Sequence, residues 1–235
     1  MTAADLIVLS AGAPRMGVST SIDAYAETAN LRVEVDFATA PVLKERVQDP
    51  AWDADVVVAP LPVLDGFEAA GRIDGGSRVV VGAVRAGIVV HADAPAPDVS
   101  TEAALKAALL AADRVVHNVA SSGQYIAQMI EDLGLAEVLA AKTEKTPTGA
   151  AVIETIAASA GTTAIGFGQT TEIGRLAHLG AKLVGSLPGD LDKVTVYGAA
   201  MRVSAAHGDA ARGFLGFLGT GEARALLDAA GVEQG

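Results

Sequence analysis

Arg114–Leu133 reads RVVHNVASSGQYIAQMIEDL. Val115 and Val116 predict a short buried strand, and Ala120-Ser121-Ser122-Gly123 a small polar turn. Tyr125, Ile126, Met129, Ile130 and Leu133 then recur at helical spacing, so an amphipathic helix follows. Ser121 or Ser122 is expected to cap that helix, leaving other backbone N–H groups pointing outward. Hydroxyls, unpaired amides and the positive end of a helix dipole together suit an anion. An ordinary capped turn between strand and helix would read the same way. The stretch stands out because a second strand–loop–helix of similar chemistry occurs at the N-terminus.

That second stretch begins with Leu6–Leu9, LIVL, a continuous apolar run of buried parallel-strand type. It ends in Ser10-Ala11-Gly12-Ala13-Pro14-Arg15, where small residues permit close approach. A helix is expected over about 16–28, a strand over 31–37, a small-residue turn at Ala38-Thr39-Ala40-Pro41, and a helix from Val42. Asp55–Ala59 is a third buried run, ending at Pro60-Leu61-Pro62 with a helix to about Ala70. This alternation predicts a doubly wound parallel sheet with right-handed crossovers, whose ligands lie beyond the carboxyl ends of the strands.

Residues 78–91, RVVVGAVRAGIVVH, are too long for one ordinary strand and predict either two strands or one bent strand. Ser100-Thr101-Glu102-Ala103 resembles a capping box opening a helix to Ala112. Further on, short helices are expected at 135–141, 149–158 and 173–179, and strands at 163–167, 181–184 and 194–203. Two helices, 209–218 and 221–230, close the chain. The expected fold is α/β: two doubly wound lobes with mixed sheets, joined by crossover strands, with a ligand cleft between lobes. Lobe I would comprise 1–82 plus 197–235 and lobe II 83–196, with hinge strands near 79–91 and 187–203.

Composition narrows the function. Half of the 235 residues are apolar, enough for a sizeable core, and the net charge is -11. So acidic a chain, without a basic run or stripe, is a poor partner for nucleic acid or an anionic membrane surface. Local donors can still hold a small anion. With no cysteine there is no disulfide, thiolate nucleophile or Cys-ligated metal. His91, His117, His178 and His207 have no metal-ligand spacing, so neither metal nor other cofactor is expected. No Walker A, G-x-S-x-G or H-E-x-x-H sequence is present. Apolar runs are short and interrupted, so no membrane insertion is expected. MTAADLIVLS lacks a basic n-region and a long apolar h-region, which points to the cytoplasm, or to the periplasm for a mature form.

A collinear series resembles the type II periplasmic-binding-protein fold in its molybdate-binding branch. It comprises LIVLSAGA (6–13), DFATAPVL (36–43), DVVVAPLPVLDGF (55–67), VASSGQYIAQMIEDLG (119–134), AIGFGQTTEI (164–173), KVTVYGAAM (193–201) and ARGFLGFLGTGEARALLDAAGV (211–232). No single motif is specific; the strength lies in their shared order. The resemblance implies a solute-binding-like protein holding a small carboxylate or oxyanion through loop hydroxyls and amides. It points to Ser10, Ala11 and Gly12, to Thr39 and Ala40, to Ser121, Ser122 and Gly123, and to Gln169, Thr170 and Tyr197. Oxyanion binders of this branch usually carry a serine pair in the second loop, where Thr39-Ala40-Pro41 stands here, and Pro41 also removes an amide. Arg15, just past the first loop, can pair a carboxylate in bidentate fashion. A transporter permease is an expected partner only of an exported form.

The branch also resembles aconitate isomerase, which implies an alternative: a cofactor-free isomerase moving a double bond in a tricarboxylate by allylic proton transfer. That chemistry needs one acid/base group and several donors to hold charge. His117 and Glu172 are the candidates. A buried structural histidine and a solvated carboxylate at a helix start are the plainer readings of the same two residues.

Overall fold

The computed structural model describes residues 4–49 and 51–234. Among them run the strands β1 (Leu6–Ala11), β2 (Val33–Ala38), β3 (Val56–Pro60), β4 (Val79–His91), β5 (Val115–Asn118), β6 (Thr143–Thr146), β7 (Ile165–Gln169), β8 (Ala181–Ser186) and β9 (Val194–Met201). The helices are α1 (Arg15–Ala29), α2 (Ala40–Gln48), α3 (Leu61–Ala69), α4 (Glu102–Ala111), α5 (Ser121–Asp132), α6 (Ala136–Leu139), α7 (Gly149–Ala157), α8 (Thr170–Leu176), α9 (Gly208–Leu218) and α10 (Gly221–Ala229). The chain divides into two compact units, one running to Val84 and resuming at Thr195, the other Arg85–Val194.

In the first unit β2, β1 and β3 run parallel, and β9 adds antiparallel to β3. The predicted β-α-β-α-β-α order is therefore realised. β1 and β3 are buried along almost their whole length, as strands covered on both faces must be. β2 lies at the edge and alternates: Glu34 and Asp36 are exposed, Val33, Val35 and Phe37 half-buried. Charges along an edge discourage pairing with another chain. α1 lies against α10 closely enough that a Cβ at Gly17 would come 2.8 Å from the Leu227 side chain. The C-terminal helices thus belong to this unit, and Phe214, Leu215, Leu218 and Leu227 join its core.

In the second unit β5 is flanked in parallel by β6 and β7, and β4 pairs antiparallel with β7 and β8. Successive residues serve opposite layers, as the two-residue strand period demands. Val115 joins a core with Leu105, Leu109, Ile126 and Met129, whereas Val116 joins one with Val152, Ile153 and Ile173. At Gly166 a Cβ would meet Ile156, Val89 and Val152 at 2.7–2.9 Å, so α7 packs on bare backbone there.

The stretch predicted as two strands or one bent strand is a single 13-residue strand, β4, with a register irregularity between Ile88 and Val89. Its length reflects its path, since the boundary between the units falls inside it. Gly82 has φ 136°, and a Cβ there would come 2.7 Å from the Glu233 carbonyl oxygen. Only glycine allows the C-terminal segment to pair at Ala83.

Candidate functional site

In the first unit the expected residues gather at the carboxyl edge of the parallel strands. Ala11 is the register partner of Ala38, which places Gly12 and Thr39 side by side beyond β1 and β2. Met16 and Gly17 at the start of α1, and Ala40 and Val42 at the start of α2, have backbone N–H groups with no acceptor among the described residues. Thr39 is the N-cap residue of α2, and its half-buried hydroxyl makes no capping bond, so it is available to a ligand. Ser10 is fully buried, and its hydroxyl donates to the Ala11 carbonyl at 3.0 Å. Arg15 is exposed, with its guanidinium 4.2 Å above the Phe37 ring. Tyr197 is buried on β9 opposite Pro60, at the same edge.

In the second unit the serine turn lies at the start of α5, but the cap is not the one expected. Neither serine is the N-cap: Ala120 holds that position without a side-chain bond. Asn118 does the work from the end of β5. Its Oδ1 accepts from the N–H of Ala120 at 2.9 Å and of Gly123 at 3.3 Å, and its Nδ2 donates to Ser122 Oγ at 3.2 Å. Two backbone donors on one atom fix which end of the amide is oxygen. Ser122 therefore accepts from Asn118 and keeps its hydroxyl proton for a ligand, and its own N–H has no acceptor among the described residues. Gly123 packs directly on the Asn118 carbonyl, leaving no room for a Cβ. The Ser121 side chain lies outside the described residues. An asparagine bonding the N–H two residues on is an ordinary turn signature, and that was the available clue to Asn118.

β7 runs beside β5 and ends at Gln169, so Thr170 and the serine turn follow neighbouring parallel strands. Gln169 is 9% exposed, and its Oε1 is buried without a hydrogen-bond partner among the described residues. Such an acceptor costs about 1–3 kcal/mol until something donates to it. Thr170 opens α8, its methyl close to Gly87 of β4.

His117 and Glu172 are both occupied. His117 is 3% exposed, and its Nδ1–H donates to the Asn118 carbonyl at 2.9 Å. Burial pulls its pKa below the ordinary 6.5, and the Lys145 charge adds to that, against the hydrogen bond to Asn118. The Glu172 carboxylate lies over Gly149 at the start of α7, with the Arg175 guanidinium 3.9 Å away. An acid at a helix start is electrostatically at home.

A second buried ionisable group was not legible in the sequence. Asp55 is fully buried and accepts from the N–H of Ile7 (3.0 Å), the N–H of His207 (3.0 Å) and His207 Nδ1–H (2.8 Å). Burial pushes its pKa up, but the His207 and Ile7 hydrogen bonds outweigh burial and hold it below the ordinary value. The group joins the start of β3 to β1 and to the residue preceding α9, a structural role away from the donor loops.

The chain matches a known family along nearly its whole length. The model for bacterial extracellular solute-binding proteins matches residues 6–233. The chain belongs to that family. An aconitate isomerase from Pseudomonas sp is 29% identical over 241 residues, covering 97% of this chain and 87% of that protein. Among solved structures, the periplasmic molybdate-binding protein of Azotobacter vinelandii superposes with a TM-score of 0.79 at 18% identity, over 98% of this chain and 99% of that one. The sulfate-binding protein SubI of Mycobacterium tuberculosis gives 0.77 at 16% identity, over 96% and 85%. The fold is thus the type II periplasmic-binding fold, as the collinear motifs implied. Among the described residues no helix is long and apolar enough to cross a membrane.

Proposed function

We propose that this solute-binding family member binds a small anion, a carboxylate or an oxyanion, through helix-start donors of the kind found at Ser122. The observation that carries the reading is Ser122. Asn118 occupies its acceptor side, and a neighbouring amide is left open, so the turn offers donors and no competing negative charge. Thr39 and the amides of Ala40 and Val42 offer the same chemistry in the first unit. Pro41 and Ala40 replace donors that a compact tetrahedral oxyanion would use, and Arg15 adds a guanidinium, which together favour a carboxylate. Gln169 supplies an amide that a hydroxyl or protonated oxygen of the ligand could pair. A permease of a transporter is the proposed protein partner of an exported form.

A second reading, a tricarboxylate isomerase, has its support in the aconitate isomerase relative. It requires a base, and Glu172 is the better placed of the two candidates, since His117 is buried with its Nδ1–H committed to a carbonyl. One sample tests both readings: proton NMR of the protein with trans-aconitate in deuterated buffer, alongside thermal melting with carboxylates, sulfate and molybdate. Saturable stabilisation without conversion is expected for a binding protein. Formation of the cis isomer with deuterium incorporation, lost in Glu172→Gln, would establish the isomerase. Absence of both stabilisation and conversion would overturn the anion reading.

A further inference from the structure

One buried ionisable group adjoins the serine turn. The His117 ring and the Ser122 hydroxyl are both bonded to a single residue, Asn118. The ring donates from Nδ1 to the Asn118 backbone carbonyl at 2.9 Å, and the Asn118 side-chain amide donates to Ser122 Oγ at 3.2 Å. Gly123, in the first turn of α5, packs on the same carbonyl so closely that a Cβ there would come 1.6 Å from the oxygen. That carbonyl is therefore held between the imidazole and the start of α5.

The surroundings keep the ring neutral. Burial is the largest cause, and Lys145, its register partner on β6, adds a positive charge; the hydrogen bond to Asn118 opposes both. The start of α5 is the positive end of a helix dipole and has no side-chain cap from its N-cap residue. Among the described residues the neighbouring elements bring no compensating acid. β7 runs alongside as Gly166-Phe167-Gly168, and α5 has no charged residue before Glu131. Glu102 and Lys106 of α4 pair with each other at 3.0 Å.

We infer that His117 couples anion binding at the serine turn to the uptake of a proton: an anion held at Ser122 offsets the positive helix start and draws a proton from solvent onto His117 Nε2. The coupling rests on anion binding at that turn. The neutral imidazole becomes imidazolium with its Nδ1–H bond intact, and release of the anion returns the proton. Charges buried in this way are screened little by salt. Linkage is reciprocal, so the factor by which the anion favours protonation is the factor by which protonation favours the anion. Anion affinity therefore rises as pH falls through the histidine range. His117 acts through Asn118 and is a positioning residue.

The test is calorimetric titration with sulfate and with methanesulfonate, both fully ionised between about pH 5 and pH 8, the range in which histidine titrates. Ionic strength is matched with sodium chloride, and each titration is repeated in buffers of different ionisation enthalpy. The expected result is an affinity several-fold higher at the acid end, with less than one proton taken up per anion near the midpoint. His117→Asn, which keeps a donor for the Asn118 carbonyl but cannot titrate, should flatten the profile. His178→Asn, at an exposed histidine, should not. Lys145→Gln, an exposed change that tests the coupling even where His117→Asn folds poorly, should move the profile to higher pH. In the unaltered protein, the proton NMR titration of the His117 ring should shift to higher pH when sulfate is added. Saturable binding with a flat pH profile, or a profile that persists in His117→Asn, overturns the coupling alone. Absence of saturable binding at every pH overturns the anion site at the turn, and the coupling with it.

Discussion

Asn118 carries more of the second unit's chemistry than either serine beside it. One side chain ties down Ala120, Gly123 and Ser122, and the Asn118 backbone carbonyl accepts from the His117 ring. Asn118→Ala should therefore cost about 1–3 kcal/mol for the buried donors it strands, and should also weaken anion binding. Gly123→Ala meets backbone rather than a flexible side chain, so α5 must shift. Its loss of anion affinity should exceed that of Ser122→Ala, about 1–3 kcal/mol, in the same thermal-shift titration. Acid stability should fall in two steps. His117 has a depressed pKa, so its unfolded form takes up protons first; the stability of neutral burial is complete above pH 6.5 and declines as pH falls below it. Asp55, likewise depressed, contributes stability above its ordinary 3.8 that is lost as pH falls further. Urea midpoints across this range should show both steps, with Asp55→Asn diminishing the lower one, to which Asp5, Asp36, Asp98 and Asp113, also depressed, contribute as well.

At the scale of elements, helix starts divide into capped and open. Thr101, Thr148 and Thr220 accept from the N–H three residues on, at 3.1, 3.1 and 3.2 Å, and so cap α4, α7 and α10. Each Thr→Ala change there should cost about 1 kcal/mol by urea denaturation. α1, α2 and α5 have no side-chain cap from their N-cap residue. Thr39→Ala should thus scarcely alter the urea midpoint while weakening a bound anion; a full capping penalty would remove Thr39 from the proposed donor set. Sequence periodicity located these elements well because each pattern lies within one segment. It failed at the α5 cap because serine and asparagine compete for the same amides, and the winner depends on where β5 ends.

For the whole molecule, the family match over residues 6–233 makes ligand linkage the informative measurement. An anion at about 100 times its Kd should stabilise the folded chain by about 2.7 kcal/mol, and the melting temperature should keep rising with the logarithm of concentration. A rise that stops, or that follows ionic strength alone, would indicate general salt effects. The fold class, the order of elements and the small-residue turns at the helix starts were legible in the chain alone. Buried apolar runs, amphipathic stretches and small-residue turns are local signals, readable within a few residues of one another. Only the tertiary structure decided which polar groups are spent. Asp55 and His207 lie 152 residues apart and meet only through packing. Ser10 turned inward, Glu172 settled over α7, and Trp52 buried an unpaired N–H. Periodicity encodes which face of an element is buried, whereas desolvation and hydrogen-bond partners depend on what distant segments bring to that face, and those terms determine what a side chain remains free to do.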